Sequence, residues 1–372
     1  MNPPALRRRA LLGGGAGLAA GTLVTRAAGA ATTGPRGTTP SRIDVHCHHI
    51  PDFYRRSLAE HGVVTAGGIP IPAWTPPAAV NFMNDYGIAA QVVSISEPGV
   101  TYLGTAAERK DMAEQINDWT RETLVTTADP LLARRFGGFA VLPLGDPNDP
   151  VDVANACAEA VRAVRTLGLD GIGVFSHYHG VYLGDPRLEP LMATLNRLGA
   201  FVFVHPVTPA AYPDLGLPTF LYEFPFDTTR AAVNMSYHQV FTRYPRVRWL
   251  LAHAGGTLPY LAYRTSLLQV TTAVAQNLDL SAFDKQNLDF GRLYYDTALS
   301  PAPSAMMSVR EVTSVSHIMF ATDWPFSGPV FVVPGDPAPQ LAESFGPAEL
   351  PRVLRSNALE QLPGLRARMR TA

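Results

Sequence analysis

Residues 42–48, Arg42-Ile43-Asp44-Val45-His46-Cys47-His48, decide the fold. The run reads as a strand in which apolar and polar residues alternate and which closes on a His-x-His pair. Side chains alternate faces along a strand, so His46 and His48 point the same way. Three later runs are also apolar and end on a metal-ligand residue type: Phe201-Val202-Phe203-Val204-His205, Trp249-Leu250-Leu251-Ala252-His253 and Ile318-Met319-Phe320-Ala321-Thr322-Asp323. Histidine and carboxylate are the usual nitrogen and oxygen donors for a divalent transition metal. Their placement at strand ends predicts a metal ion at the carboxyl end of a parallel barrel, and with it a metal-dependent enzyme.

Outward from that strand, short apolar runs alternate with longer helical stretches. Strands are predicted at 43–46, 88–96, 136–144, 169–175, 200–205, 247–253, 293–297 and 317–322. Helices are predicted at 108–128, 152–167, 187–198, 228–241, 257–275 and 304–312. Eight β-then-α units predict an α/β fold of the (β/α)8 TIM-barrel class. An open doubly wound sheet would carry a glycine-rich phosphate turn after its first strand, and this chain has His46-Cys47-His48-His49 there. The longest non-periodic segment, residues 49–77, is rich in proline and glycine and is expected to form a lid loop over the barrel mouth. Trp74 within it is a candidate ring-stacking wall for substrate; in the other reading it packs the loop down.

A chain of 372 residues can bury a full barrel core. Its formal net charge of −1 gives no whole-protein attraction to nucleic acid or anionic lipid. The two cysteines, Cys47 and Cys157, show no disulfide spacing and read as buried free thiols. Residues 1–31 have the order of a twin-arginine-type signal peptide: Arg7-Arg8-Arg9, a weakly apolar Gly/Ala/Leu stretch, then the small residues Ala28-Gly29-Ala30. Residues 32–41 read as a Gly/Pro/Thr linker and 42–372 as a single domain. The expected location is therefore periplasmic or extracellular. No later apolar run is long enough to span a bilayer, so no membrane contact is expected once the signal is removed.

His46, His48, His205 and Asp323 offer three nitrogens and a carboxylate, which suits one divalent ion, zinc or manganese, with room for water or substrate. The tract after the fourth strand, Gly173-Val174-Phe175-Ser176-His177-Tyr178-His179, contains no lysine to supply a modified, bridging carboxylate, so a single ion is expected. His177 touches substrate in one reading and belongs to a polar loop in the other. His253, followed by Ala254-Gly255-Gly256, is assigned to proton handling because imidazole titrates near neutral pH. Asp323 is expected to share that task, and Asp296, at the end of the seventh strand, to orient a ligand histidine. Arg230, on a predicted helix, either positions an anionic substrate or makes a structural ion pair.

Four tracts resemble the amidohydrolase-related decarboxylase family, which includes aminocarboxymuconate-semialdehyde decarboxylase and γ-resorcylate decarboxylase. They are Asp44-Val45-His46-Cys47-His48, Phe224-Pro225-Phe226-Asp227-Thr228-Thr229-Arg230, Leu251-Ala252-His253-Ala254-Gly255-Gly256 and Ala321-Thr322-Asp323-Trp324-Pro325-Phe326. The likeness runs from about Arg42 to Pro363. Residues 67–74, 181–186 and 227–230 are most similar to the 6-methylsalicylate decarboxylase type. The resemblance implies a barrel of the metal-dependent hydrolase type and a metal, usually zinc, on His46, His48, His205 and Asp323. It implies His253 as the catalytic histidine, and a homodimer in which Arg264 reaches a substrate carboxylate in the neighbouring subunit. The reaction it implies is non-oxidative decarboxylation of a small hydroxylated aromatic carboxylate, by ring-carbon protonation and then loss of CO2. The site residues alone leave a second chemistry open, hydrolysis of an ester, lactone or amide with His253 as base.

Overall fold

The computed structural model describes residues 41–275, 290–331 and 333–370. The segments read as signal peptide and linker, Ser41 apart, lie outside the described residues. Eight parallel strands form one sheet in chain order: β1 (Arg42–His48), β2 (Ile88–Ser94), β3 (Phe136–Val141), β4 (Gly171–Phe175), β5 (Phe201–His205), β6 (Arg248–Leu251), β7 (Tyr294–Asp296) and β8 (Ile318–Met319). The sheet closes through the backbone that follows β8. Val45 N–H donates to Phe320 O at 3.1 Å, Asp323 N–H to His46 O at 2.7 Å, and His48 N–H to Trp324 O at 2.7 Å. The protein is a TIM barrel, and the bonds that close it are the ones that carry Asp323 to the His-x-His pair.

The helices between strands are α1 (Asp52–Glu60), α2 (Pro76–Asp85), α3 (Ala106–Trp119), α4 (Pro150–Arg162), α5 (Glu189–Leu198), α6 (Glu223–Tyr237), α7 (Leu258–Ala275) and α8 (Pro303–Val312). Their starts are written locally. Thr105 and Glu108 form a capping box on α3, and Asp149 caps α4 just ahead of Pro150. Gly199 ends α5 in the left-handed region, at φ 59°, and turns the chain into β5, which delivers His205. Inside the barrel the Phe139 ring lies 5.9 Å from that of Phe201 and 5.7 Å from that of Phe203. Each such buried ring contributes roughly 1.5–3 kcal/mol. Phe203 also sits 4.7 Å beneath the His46 ring, so the site rests on apolar ground. Among the described residues no helix is long and apolar enough to cross a membrane.

Residues 49–77 are not one loop, as the proline and glycine content led us to expect. They contain α1 and a short hairpin, Thr65–Ala66 with Ile69–Pro70. Pro51 occupies the cap position of α1, where the missing N–H costs no intrahelical bond. Tyr54 and Leu58, four apart, are the buried stripe of that helix. For Trp74 the packing reading fits: its ring is buried against His49 and Trp119, at 6.1 and 6.0 Å. The reason is alternation: His49 follows His48 onto the opposite face of the strand end, and Trp74 packs on it there. His49 Nδ1 is 3.0 Å from Ser94 O and its Nε2 2.7 Å from Thr120 Oγ1. Both cysteines are free, Cys47 buried and Cys157 half-buried.

Candidate metal centre

His46 and His48 leave the end of β1 on one face, with their Nε2 atoms 3.2 Å apart. Asp323 Oδ1 lies 3.3 Å from the first and 3.0 Å from the second. His205 completes the group: one donor atom from each of the four lies within 4.8 Å of every other. All four residues are buried. Among the described residues this is the one cluster of its kind.

The surroundings fix which ring nitrogens face inward. Asp296 Oδ2 accepts from His46 Nδ1 at 2.8 Å, and Pro206 O accepts from His205 Nδ1 at 2.7 Å. Ser94 Oγ lies 3.2 Å from His48 Nδ1. With Nδ1 engaged, Nε2 is the nitrogen that His46 and His205 have for the site, which is the donor arrangement a divalent cation takes once the His46 proton has left. The residues fit a metal ion on hydrogen-bond grounds alone.

Charge agrees. Burial opposes protonation of His46, but the Asp296 and Asp323 carboxylates outweigh it and raise the imidazole to about 10. Burial lowers His48 and His205. Burial also opposes the charge on Asp323, yet His46, His253 and His48 hold it well below the usual carboxylate range. A cation entering here displaces the His46 proton. Metal affinity is therefore expected to rise about tenfold per pH unit between roughly pH 6 and 9, with one proton released per ion. Calorimetric titration in buffers of different ionisation enthalpy measures both, and an affinity independent of pH would contradict it.

His253 stands two residues beyond β6, on the far side of Asp323. Its Nε2 is 3.3 Å from Asp323 Oδ2, and its buried Nδ1 has no hydrogen-bond partner. Both residues adopt left-handed backbone, φ 55° for His253 and 62° for Asp323, a conformation non-glycine residues hold chiefly where surrounding structure and function impose it. Gly256 makes the turn after His253 possible, since a Cβ there would stand 2.0 Å from Pro225 O. Phe224 stacks on His253 at 6.4 Å, and Phe326 meets His48 edge-on at 5.5 Å. The Thr65–Pro70 hairpin closes over Phe224: a Cβ on Gly67 would touch that ring at 2.9 Å. Phe220 N–H donates to Gly67 O at 3.1 Å, and Gly67 N–H donates to the Glu97 carboxylate.

Other expected residues fall elsewhere. His177 lies on a short hairpin after β4; its Nδ1 accepts from Gly180 N–H at 3.2 Å and its Nε2 is 3.7 Å from Asp227 Oδ1. Nδ1 is thus bonded within the hairpin and Nε2 faces Asp227 of α6, which fits the polar-loop reading. Arg230 pairs with Glu223 at 3.0 Å, the structural reading for that side chain. Arg264 is exposed on α7, on the outside of the barrel. Sequence reasoning missed Asp44. Its buried carboxylate accepts from His46 N–H, Gln91 Nε2, Thr322 N–H and Thr322 Oγ1 at 2.7–3.2 Å. That binds β1 to β2 and to the segment carrying Asp323. Burial raises its carboxyl to about 6 against those bonds. Its position two before His46 was the available signal.

Comparison with known proteins agrees with this geometry. Residues 43–363 match the profile of the family described as Amidohydrolase, Amidohydro_2. The decarboxylase yanB of Aspergillus niger is 31% identical over 302 residues, 77% of this chain and 77% of its own. The 6-methylsalicylic acid decarboxylase of Penicillium expansum is 29% identical over 290 residues, 77% of this chain and 85% of its own. A crystal structure of an amidohydrolase II superposes with a TM-score of 0.73 at 26% identity, covering 87% of this chain and 100% of that one. The chain belongs to the amidohydrolase family, among relatives that are decarboxylases.

Proposed function

We propose that this protein is a metal-dependent carboxy-lyase acting on a hydroxylated aromatic carboxylic acid of the 6-methylsalicylate kind. The observation that carries the reading is the split carboxylate of Asp323: Oδ1 joins His46, His48 and His205, while Oδ2 meets His253 Nε2. A metal on the first set and a proton carrier on the second are thus held side by side. The ion, zinc or manganese by its donor set, supplies Lewis-acid stabilisation of the substrate oxygens when bound. Phe224, Phe326 and Phe175 wall the site and suit a flat ring. His253, oriented by Asp323 Oδ2, holds the proton that passes to the ring carbon bearing the carboxylate. The bond from that carbon to the carboxylate then breaks, its electron pair restores the aromatic ring, and CO2 leaves. Incubation of metal-loaded protein with 2-hydroxybenzoates is expected to give one CO2 and one phenol per acid consumed, with loss of activity on chelation. Ester or lactone cleavage without CO2 would point to hydrolysis instead.

Substrate charge needs a cation, and within the barrel Arg230 is paired with Glu223. We therefore propose a homodimer in which α7 carries Arg264 to the neighbouring site. The exposed rings of Tyr260 (84%) and Tyr263 (55%) on the same helix support an interface there. Mixing inactive Arg264→Ala and His253→Ala proteins is expected to restore about a quarter of wild-type activity by forming dimers with one intact site; no recovery would count against a shared site. The order of features in residues 1–31 supports export by the twin-arginine route. Replacing Arg8 and Arg9 by lysine is expected to keep the protein in the cytoplasm on cell fractionation.

A further inference from the structure

The His253 ring is pinned by a hydrogen bond at one nitrogen only. Its Nε2 lies 3.3 Å from Asp323 Oδ2, and its buried Nδ1 has no hydrogen-bond partner. An imidazole that carries protons is ordinarily oriented by a third group bonded to its other nitrogen. Here that task falls to packing. The ligand His46 flanks the ring at 4.9 Å, and Phe224 stacks on it at 6.4 Å with an interplanar angle of 27°.

Phe224 is itself held by the Thr65–Pro70 hairpin. A Cβ on Gly67 would stand 2.9 Å from Phe224 Cζ and 3.1 Å from its Cε2, so hairpin backbone rests directly on the edge of that ring. Gly67 also has a φ of 57°, and glycine meets both demands. Both of its polar groups are fixed: its O accepts from Phe220 N–H at 3.1 Å, and its N–H donates to Glu97 Oε1. Glu97 stands three residues past β2 and is half-buried. Its carboxylate also accepts from Thr208 N–H at 2.6 Å and from Thr208 Oγ1 at 3.0 Å, three residues past β5. Thr208 Oγ1 is in turn 2.9 Å from Thr219 Oγ1, in the turn that carries Phe220. The bonds close a circuit from Glu97 through Gly67, Phe220, Thr219 and Thr208 back to Glu97. It ties two barrel strand ends to the hairpin and to the entry of α6, where Phe224 lies. A carboxylate on which three donors converge makes shorter and stronger bonds than a neutral acceptor would.

We propose that Glu97 is a positioning residue for His253: by fixing Gly67 it fixes Phe224 against the imidazole, and so orients a ring that no hydrogen bond holds at Nδ1. The proposal rests on the decarboxylase reading for the task of His253, but the orientation of the ring is a property that can be read without turnover.

Glu97→Ala and Glu97→Gln test it, with Phe224→Leu and the Glu97→Ala/Phe224→Leu double variant. All are compared with wild type as zinc-loaded protein. Glu97→Ala is expected to lower kcat on 2-hydroxybenzoate about tenfold to a hundredfold, the cost of a slightly misplaced catalytic group, with KM and zinc affinity changed less than about threefold. Glutamine can still accept from Gly67 N–H and Thr208 Oγ1 through its amide oxygen, so Glu97→Gln is expected to recover kcat to within about threefold of wild type. The double variant is expected to lose no more than the worse single one, because both changes act on the same ring. The second readout is the His253 ring Cε1–H resonance in histidine-labelled protein, identified by its absence in His253→Gln. It is expected to move in Glu97→Ala and in Phe224→Leu and to return in Glu97→Gln. Should Glu97→Ala not fold, Glu97→Asp, which keeps the charge but falls one carbon short of Gly67, takes its place under the same expectations. A His253 resonance that stays put, losses that multiply in the double variant, or a loss of zinc that accounts for the lost turnover overturns the positioning role. Absence of CO2 release from wild type, with the resonance displaced and restored as stated, overturns the decarboxylase reading and leaves the positioning role standing.

Discussion

Exchange of His253 for glutamine is expected to lower kcat by a factor of about 10²–10⁴ while the metal stays bound, the loss typical of a removed general acid–base group. The geometry separates the two properties. His253 faces Asp323 Oδ2, whereas the ligand group uses the opposite oxygen, so its removal leaves four donors in place. Glutamine keeps a hydrogen-bonding group near Asp323 and much of the volume against Phe224, but it does not titrate in the working pH range. Packing should therefore survive, since the ring is held by stacking and by its backbone N–H to Asp296, with no partner at Nδ1. Metal content by elemental analysis and single-turnover CO2 release are the two measurements. Unchanged kcat would move proton handling to another group. Loss of the metal would make His253 a ligand and the set of four incomplete.

The parts of the molecule that were legible in the sequence are those whose signal is local. Each barrel strand is an apolar run because it is covered on both faces, and all eight were located within a few residues of their observed bounds. His46 and His48 were legible because a strand has period two, and Asp296 because it ends a strand. The site also depends on chain that is no longer strand. His253 lies two residues past β6 and Asp323 four past β8, in left-handed turns whose direction no periodicity records. The walls come from α6 and from the turn after β8, so Phe224 and Phe326 carried no pattern of their own. Trp74 illustrates the converse: a large ring in a proline-rich stretch suggests a lid wall, but its partners His49 and Trp119 lie behind the strand. Arg230 was undecidable from sequence because its partner Glu223 sits seven residues back, on the same helix but not at the usual pairing distance of three or four.

Asp296→Asn is expected to weaken metal binding about 10- to 100-fold, the usual consequence of removing a carboxylate that orients a ligand histidine. Asp296 is fully buried and accepts three hydrogen bonds: His46 Nδ1–H at 2.8 Å on one oxygen, His253 N–H at 2.8 Å and Ala298 N–H at 3.0 Å on the other. An amide has one accepting end. If its oxygen faces the two backbone N–H groups, its NH2 faces His46, and the ring must accept at Nδ1. The His46 proton then moves to Nε2, the atom that points at Asp323 and His48, and the lone pair for the metal is gone. If the amide turns the other way, His46 keeps its tautomer, but two backbone donors lose their acceptor at about 1–3 kcal/mol each. The first arrangement breaks fewer bonds, so the loss should fall mainly on the metal and less on folding. Asp296→Ala provides the comparison, because it abandons all three donors and should lower the melting temperature as well as the affinity. Competition with a chelator of known affinity measures the first effect and thermal unfolding the second. An asparagine variant that binds metal as tightly as wild type and also unfolds at the wild-type temperature would show that His46 Nε2 is not a ligand atom, and the arrangement of the whole centre would have to be redrawn around His48, His205 and Asp323.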